Sequence, residues 1–194
     1  MRSIYLILGL ALLTGWSGAA RANLIVNGGF ETGSLSPAWS VTGNGIAIDS
    51  AFPNSGSFDA SFGAASTDPN PGVLSQTIAT MPGQAYDLSF ALLDESGVFL
   101  NTFTVTLGNF NTVITGDQSG GSYVTFDFSI PGSDITALST DLQFLGLNDF
   151  AAWNLDDVSL DAVTAVPEPT TAIILGSGLL ALLLLGGPTW RRVR

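Results

Sequence analysis

Almost all the charged chemistry in this sequence is carboxylate. Its 194 residues include 16 Asp or Glu, five Lys or Arg, no His and no Cys. A Ser-His-Asp triad, an imidazole metal ligand and a neutral-pH imidazole proton shuttle are therefore excluded. So are disulfides, thiolate nucleophiles and zinc or iron–sulfur centres with sulfur ligands. A pair of acids can cleave a glycoside, but acid and nucleophile must then face each other across the substrate. Asp94-Glu95 and Asp156-Asp157 are instead adjacent in sequence. No Gly-x-Ser-x-Gly elbow is present, and there is no lysine for a phosphate-cradling loop. The expectation is a non-catalytic protein whose acids offer hard oxygen to a cation.

The bases are Arg2, Arg21, Arg191, Arg192 and Arg194, all near the two ends, so residues 23–165 hold fifteen acids and no base. That stretch can form no internal Lys or Arg salt bridge. It also cannot bind a phosphate backbone, because such binding rests on Lys and Arg displacing counterions. Nucleic acid is excluded as a partner.

Alternation with period two dominates 23–165. Tyr86, Leu88, Phe90 and Leu92 share one face; Phe103, Val105 and Leu107 another; Val124, Phe126, Phe128 and Ile130 a third. Turn signals separate these runs: Asn44-Gly45, Pro53 to Gly56, Asp68 to Gly72, Pro82-Gly83, Gly120-Gly121 and Pro131-Gly132. Short strands with frequent turns predict an all-β fold, an antiparallel β-sandwich. Near its end the parity changes, with Trp153 and Leu155 on one phase and Val158 and Leu160 on the other. A strand that keeps its face inward must absorb one residue, which places a β-bulge at Asp156-Asp157. Bulges re-aim side chains, and here the side chains are two carboxylates. The alternative is that they form a solvated strand end.

Sugar-binding surfaces favour amphipathic aromatic platforms. Trp153 shares parity with Leu155 and Tyr86 leads an inward-facing row, so both read as core. Tyr123 follows Gly120-Gly121-Ser122 at a strand start, opposite in parity to Val124, and is the candidate exposed sugar contact.

The ends read as addresses. Residues 1–22 combine Arg2, an apolar stretch over 4–13 and the small-x-small site Ala20-Arg21-Ala22, the pattern of a secretory signal cut by signal peptidase after Ala22. Ten apolar residues are too few to span a bilayer. Residues 171–187 carry no charge and would reach about 25 Å as a helix, enough for a short transmembrane segment. Arg191, Arg192 and Arg194 follow and place that end in the cytoplasm by the positive-inside rule. A buried core helix is the alternative.

Pro167-Glu168-Pro169, the apolar run and the terminal arginines, in that order over 166–194, resemble the PEP-CTERM sorting signal of exopolysaccharide-producing Gram-negative bacteria. The same tail is also labelled as an ice-binding-protein C-terminal region. The resemblance implies passage through the inner membrane and processing near Pro167–Pro169 by an exosortase, with delivery to the cell surface or the exopolysaccharide and biofilm matrix.

A second resemblance covers most of 23–160. Asn23-Leu-Ile-Val-Asn-Gly-Gly-Phe-Glu31 followed by Trp39, then Ser55-Gly-Ser-Phe58, Gln76 to Tyr86 and Asn154-Leu-Asp-Asp-Val-Ser-Leu160, are similar in order to the galactose-binding-like jelly rolls used as carbohydrate-binding modules. It implies adjacent first and last strands with a structural Ca²⁺ between them, held by Glu31 and Asp156, with Asp157 and the Gly29 carbonyl as further ligands. The expected function is association with exopolysaccharide. The rival is a structural or adhesive surface protein with no sugar site. Ice binding, a third class, requires a flat face studded with threonine; Thr102, Thr104 and Thr106 are the one such row.

Overall fold

The computed structural model describes residues 22–95, 101–115, 121–149 and 151–163. The chain divides into two compact units, one ending at Val163 and the other Thr164–Arg194. The second unit lies outside the described residues, as do 1–21. The secretory stretch, Pro167, Glu168, Pro169, the 171–187 run, Arg191, Arg192 and Arg194 therefore lie there too. Ala22 is the first described residue and is exposed. Among the described residues no helix is long and apolar enough to cross a membrane.

The described unit is a sandwich of two antiparallel sheets with no α-helix among the described residues. Its strands are β1 (Ser40–Thr42), β2 (Ile46–Asp49), β3 (Asp59–Phe62), β4 (Val73–Ala79), β5 (Tyr86–Asp94), β6 (Thr102–Leu107), β7 (Phe110–Thr115), β8 (Val124–Ile130), β9 (Ser139–Leu147) and β10 (Trp153–Ala162). The first sheet runs β1-β4-β9-β6-β7 and the second β2-β3-β10-β5-β8. The three expected alternating runs are β5, β6 and β8. The β6–β7 hairpin turns at Gly108-Asn109, with Gly108 at φ +61°, a geometry glycine adopts at no steric cost.

Alternation decides what each strand buries. Phe103, Val105 and Leu107 of β6 are fully buried, as are Leu88, Phe90 and Leu92 of β5 to within 1 %. Their rings meet between the sheets: Phe103 lies 5.2 Å from Phe62 edge-on, 5.8 Å from Phe144 and 5.7 Å from Trp153. Such pairs contribute about 0.5–1.5 kcal/mol each beyond the area they bury. Gly146 of β9 makes room for them, since a Cβ there would stand 2.8 Å from Phe62 Cβ. Phe126 and Phe128 of β8 face inward too but stay half-buried, because β8 is an edge strand.

The outer faces differ in charge. On the first sheet the outward positions of β4, β9 and β6 include Ser75, Thr77, Gln143, Thr102, Thr104 and Thr106, with Asp141 as an acid. On the second, Asp49, Asp59, Asp87, Asp127, Asp156 and Asp161 all point outward.

Candidate functional site

Everything unusual about the second sheet gathers where β10 loses register. Pairing of β10 with β5 shifts between Asp156 and Ser159, and Asp157 takes φ +52°. The bulge expected at Asp156-Asp157 is there. It lets Trp153 and Leu155 before it, and Val158 and Leu160 after it, all face the core.

The segment before β1 lies along the end of β10. Leu24 N–H donates to Leu160 O at 2.8 Å, and Val158 N–H to Gly28 O at 3.0 Å. This brings Gly29 and Glu31 to the bulge. A Cβ built on Gly29 would lie 3.7 Å from Asp157 Oδ1, 3.8 Å from Asp156 Oδ1 and 3.9 Å from Glu31 Cγ. The structure thus collects Gly29, Glu31, Asp156 and Asp157 around one small cradle that a side chain at 29 would fill.

A loop between β2 and β3 closes over the same junction. Asp156 Oδ2 accepts the N–H groups of Asn54 and Ser55, both at 2.9 Å, and its Oδ1 accepts the Asp157 N–H at 2.7 Å. Asp157 accepts from Asn54 Nδ2 and Ser55 Oγ, each at 2.7 Å. Glu31 accepts the N–H groups of Ser57 and Phe58, and Gly56 lies against its carboxylate at φ +61°. Asp156 is fully buried, and burial raises its carboxyl above the usual range despite the Ser55, Asp157 and Asn54 amides. Main-chain amides thus do here what Lys and Arg do elsewhere. Each carboxylate oxygen has two lone-pair sites, so Asp156 Oδ1 and Asp157 Oδ1, the two oxygens nearest Gly29, each keep one. Among the described residues, no group of three or more acidic side chains is placed to hold a metal ion by itself. A cation in the cradle would draw its other ligands from carbonyls and water.

Tyr123, expected at the surface, is half-buried instead. Its hydroxyl donates to Asp59 Oδ2 at 2.9 Å, so its polar edge is turned to an internal carboxylate. Burial and the adjoining Asp59 both raise the phenol. Asp59 is fully buried although it faces away from the core, and its Oδ1 has no partner. Burial pushes its carboxyl up to about 6; the Tyr123 bond works against this, while the charges of Asp49, Asp156 and Glu95 add to it. Asn154 is also fully buried; its Nδ2 donates to Glu95 at 2.9 Å and its Oδ1 is unpartnered. Sequence reasoning missed the loop amides, Asp59 and Asn154. The one available signal was Ser55-Gly-Ser57, small residues that let a backbone approach acids.

Two surface hollows are distinct in chemistry. A cleft of about 720 Å³ beside the N-terminal segment is lined by Val26, Thr32, Ser34, Pro37, Ala38 and Thr77, with no charged residue on its walls. Val26 is 64 % exposed there, while Gln76 holds its main chain through both N–H and C=O. A depression of about 400 Å³ on the second sheet is lined by Asp87, Asp127 and Asp161 with three serines. The threonine row of β6 does not widen into an array: Thr102 faces Thr115, but Thr104 lies between Val113 and Leu145.

No family model matches the chain, and no curated protein matches it. Solved structures do. The chain is similar to the module TmCBM61, solved in complex with β-1,4-galactotriose, at TM-score 0.57 and 17 % identity, covering 73 % of this chain and 99 % of that one. It is similar to the CBM22-1 xylan-binding domain of Xyn10C from Paenibacillus barcinonensis, at TM-score 0.50 and 16 % identity, covering 71 % and 93 %. It is also similar to a CBM4 module, at TM-score 0.52 and 16 % identity, covering 72 % and 99 %. At these identities the likeness establishes the jelly-roll sandwich fold shared by these carbohydrate-binding modules.

Proposed function

We propose that the sandwich is a non-catalytic carbohydrate-binding domain of a secreted surface protein. The observation that carries this reading is the superposition of one compact unit on nearly the full length of several sugar-binding modules. The uncharged cleft beside the N-terminal segment suits the role: hydroxyls of Thr32, Ser34 and Thr77 can meet sugar hydroxyls, while Val26, Pro37 and Ala38 offer apolar surface to ring C–H groups. A neutral glycan enters it without the repulsion that a polyanion would meet elsewhere on so acidic a domain. Purified full chain titrated with β-1,4-galactan, xylan and the producer's own exopolysaccharide tests this. Saturable binding that Val26→Asp abolishes without lowering the melting temperature is expected. No saturable binding to any of the three would overturn it.

Delivery belongs to the same reading. Signal peptidase cuts after Ala22; an exosortase processes the tail near Pro167, Glu168 and Pro169; Arg191, Arg192 and Arg194 hold the cytoplasmic end of a helix over 171–187. Support comes from the order of these parts in the sequence, and the mass of the mature protein from the producing cell tests it. Ca²⁺ in the Gly29 cradle would bind Asp156 Oδ1, Asp157 Oδ1, the Gly29 carbonyl and water, and would stabilise the joint between the N-terminal segment and β10, with Glu31 fixing the loop beside it through the Ser57 and Phe58 amides. Calcium takes six to eight hard oxygen ligands in flexible geometry, which mixed carboxylate and carbonyl donors fit.

A further inference from the structure

We propose that this domain has a second site for a hard cation of the Ca²⁺ type, between β3 and β10, with Asp59 Oδ1 and Asn154 Oδ1 as its side-chain ligands. It is separate from the Gly29 cradle and lies on the outer face of the second sheet.

The case begins with two oxygens that cannot serve each other. Asp59 Oδ1 and Asn154 Oδ1 are both buried and both without a hydrogen-bond partner. An ionised carboxylate and a carboxamide oxygen are acceptors only, so the pair needs a donor or a cation. The Tyr123 hydroxyl serves Asp59 Oδ2, and Asn154 Nδ2 donates to Glu95. No Lys, Arg or His exists between residues 23 and 165 to supply another.

The register puts the two side chains within reach of one ion. Asn154 pairs with Ser61 and Leu155 with Ala60, so Asp59 stands diagonal to Asn154 on the same face. Diagonal neighbours on one face have Cα atoms about 7–8 Å apart, with Cβ atoms somewhat closer. Two side-chain oxygens bonding an ion at about 2.3–2.6 Å bridge that gap. The charge around them favours a cation. Asp49 pairs with Asp59 across β2–β3, and Asp156 is one step past the Leu155–Ala60 pair, so three aspartates form a row across three strands. Like charges so placed repel. Asp156 is relieved by the Asn54 and Ser55 amides, and Asp49 by those of Ser50 and Ala51. Asp59, in the middle, has only a phenol. Two side-chain ligands completed by water make a weak site, in the range of extracellular modules at about 10⁻⁴–10⁻³ M.

Terbium luminescence tests this on the purified full chain, with Tb³⁺ as the probe and Ca²⁺ as competitor. The Tyr123 ring, one hydrogen bond from Asp59, sensitises an ion held there. Asp59→Asn keeps an acceptor for Tyr123 and is expected to lose the tyrosine-sensitised emission that millimolar Ca²⁺ displaces. Gly29→Ala is expected to keep it. Asn154→Asp adds a carboxylate and is expected to lower the displacing Ca²⁺ concentration several-fold. It also keeps the test sharp should Asp59→Asn fold poorly. Unchanged emission in Asp59→Asn, an unchanged midpoint in Asn154→Asp, or emission that Gly29→Ala removes entirely would each overturn the site; a proton or a water would then satisfy the two oxygens.

Discussion

Replacing Gly29 by alanine tests the Ca²⁺ proposed for the cradle apart from the cradle's hydrogen bonds. Gly29 does not occupy the left-handed region, and a Cβ there would approach nothing closer than 3.7 Å. In chelator the substitution should therefore shift stability by no more than about 0.5–1 kcal/mol, in the stabilising direction because alanine restricts the unfolded chain. The methyl nevertheless sits against Asp157 Oδ1 and Asp156 Oδ1, beside the Glu31 Cγ methylene, where the ion would bind. With sub-millimolar Ca²⁺ at about 100 times its dissociation constant, wild type gains about 2.7 kcal/mol by mass action. For a domain of this size that is a rise of about 6–12 °C in melting temperature. Differential scanning fluorimetry across a Ca²⁺ series, against chelator, is the assay. Wild type should show the rise and Gly29→Ala should not. Equal shifts in both proteins would refute the cradle as the ion's position, and no shift in wild type would remove calcium from the reading.

Two further substitutions probe how acids are held without cations. Tyr123→Phe leaves neither Asp59 oxygen hydrogen-bonded and should destabilise by about 1–3 kcal/mol, read as a lower urea midpoint at pH 7 in chelator. An unchanged midpoint would show that solvent replaces the phenol freely. Asp149 accepts the Ser66 N–H and hydroxyl at 2.6 and 2.8 Å, and these bonds hold its carboxyl below the usual range. A depressed folded-state value contributes stability above the unfolded value and loses it as pH falls. Asp149→Asn should therefore melt lower than wild type at pH 7, with the gap closing below about pH 4; a gap that widens in acid would contradict the sign.

The strands were legible because their burial is periodic. Tyr86 to Leu92 and Phe103 to Leu107 alternate against one core, and a parity break is visible wherever both flanks are apolar, as at Asp156-Asp157. The closing of Asn23 to Glu31 against β10 followed from resemblance, and the bonds from Leu24 and Val158 realise it. What the sequence did not reveal were interactions carried by the main chain. The amides of Asn54, Ser55, Ser57 and Phe58 leave no trace in side-chain pattern, so the loop they belong to read only as a turn. Tyr123 was misplaced for a related reason. Parity put it on the outer face correctly, but that face is covered where Asp59, Asn154 and Asp156 lie, so outward there does not mean exposed.

The pairing of the first and last segments also sets how this domain would carry force. Asn23 and Leu160 are bonded to each other, and the chain leaves at Val163, three residues on. The two segments run antiparallel, with Leu24 on Leu160 and Gly28 on Val158. Tension applied between those points would peel the bonds apart one after another, the weak direction of a β pair. Tension entering instead through the face of the second sheet and leaving by β10 would load ladder bonds in parallel, since β10 pairs with β5 along most of its length and with β3 over Trp153–Leu155. Pulled by its paired ends, the sandwich is thus a weak link within a stretched chain, and a firmer one when load reaches it through the second sheet.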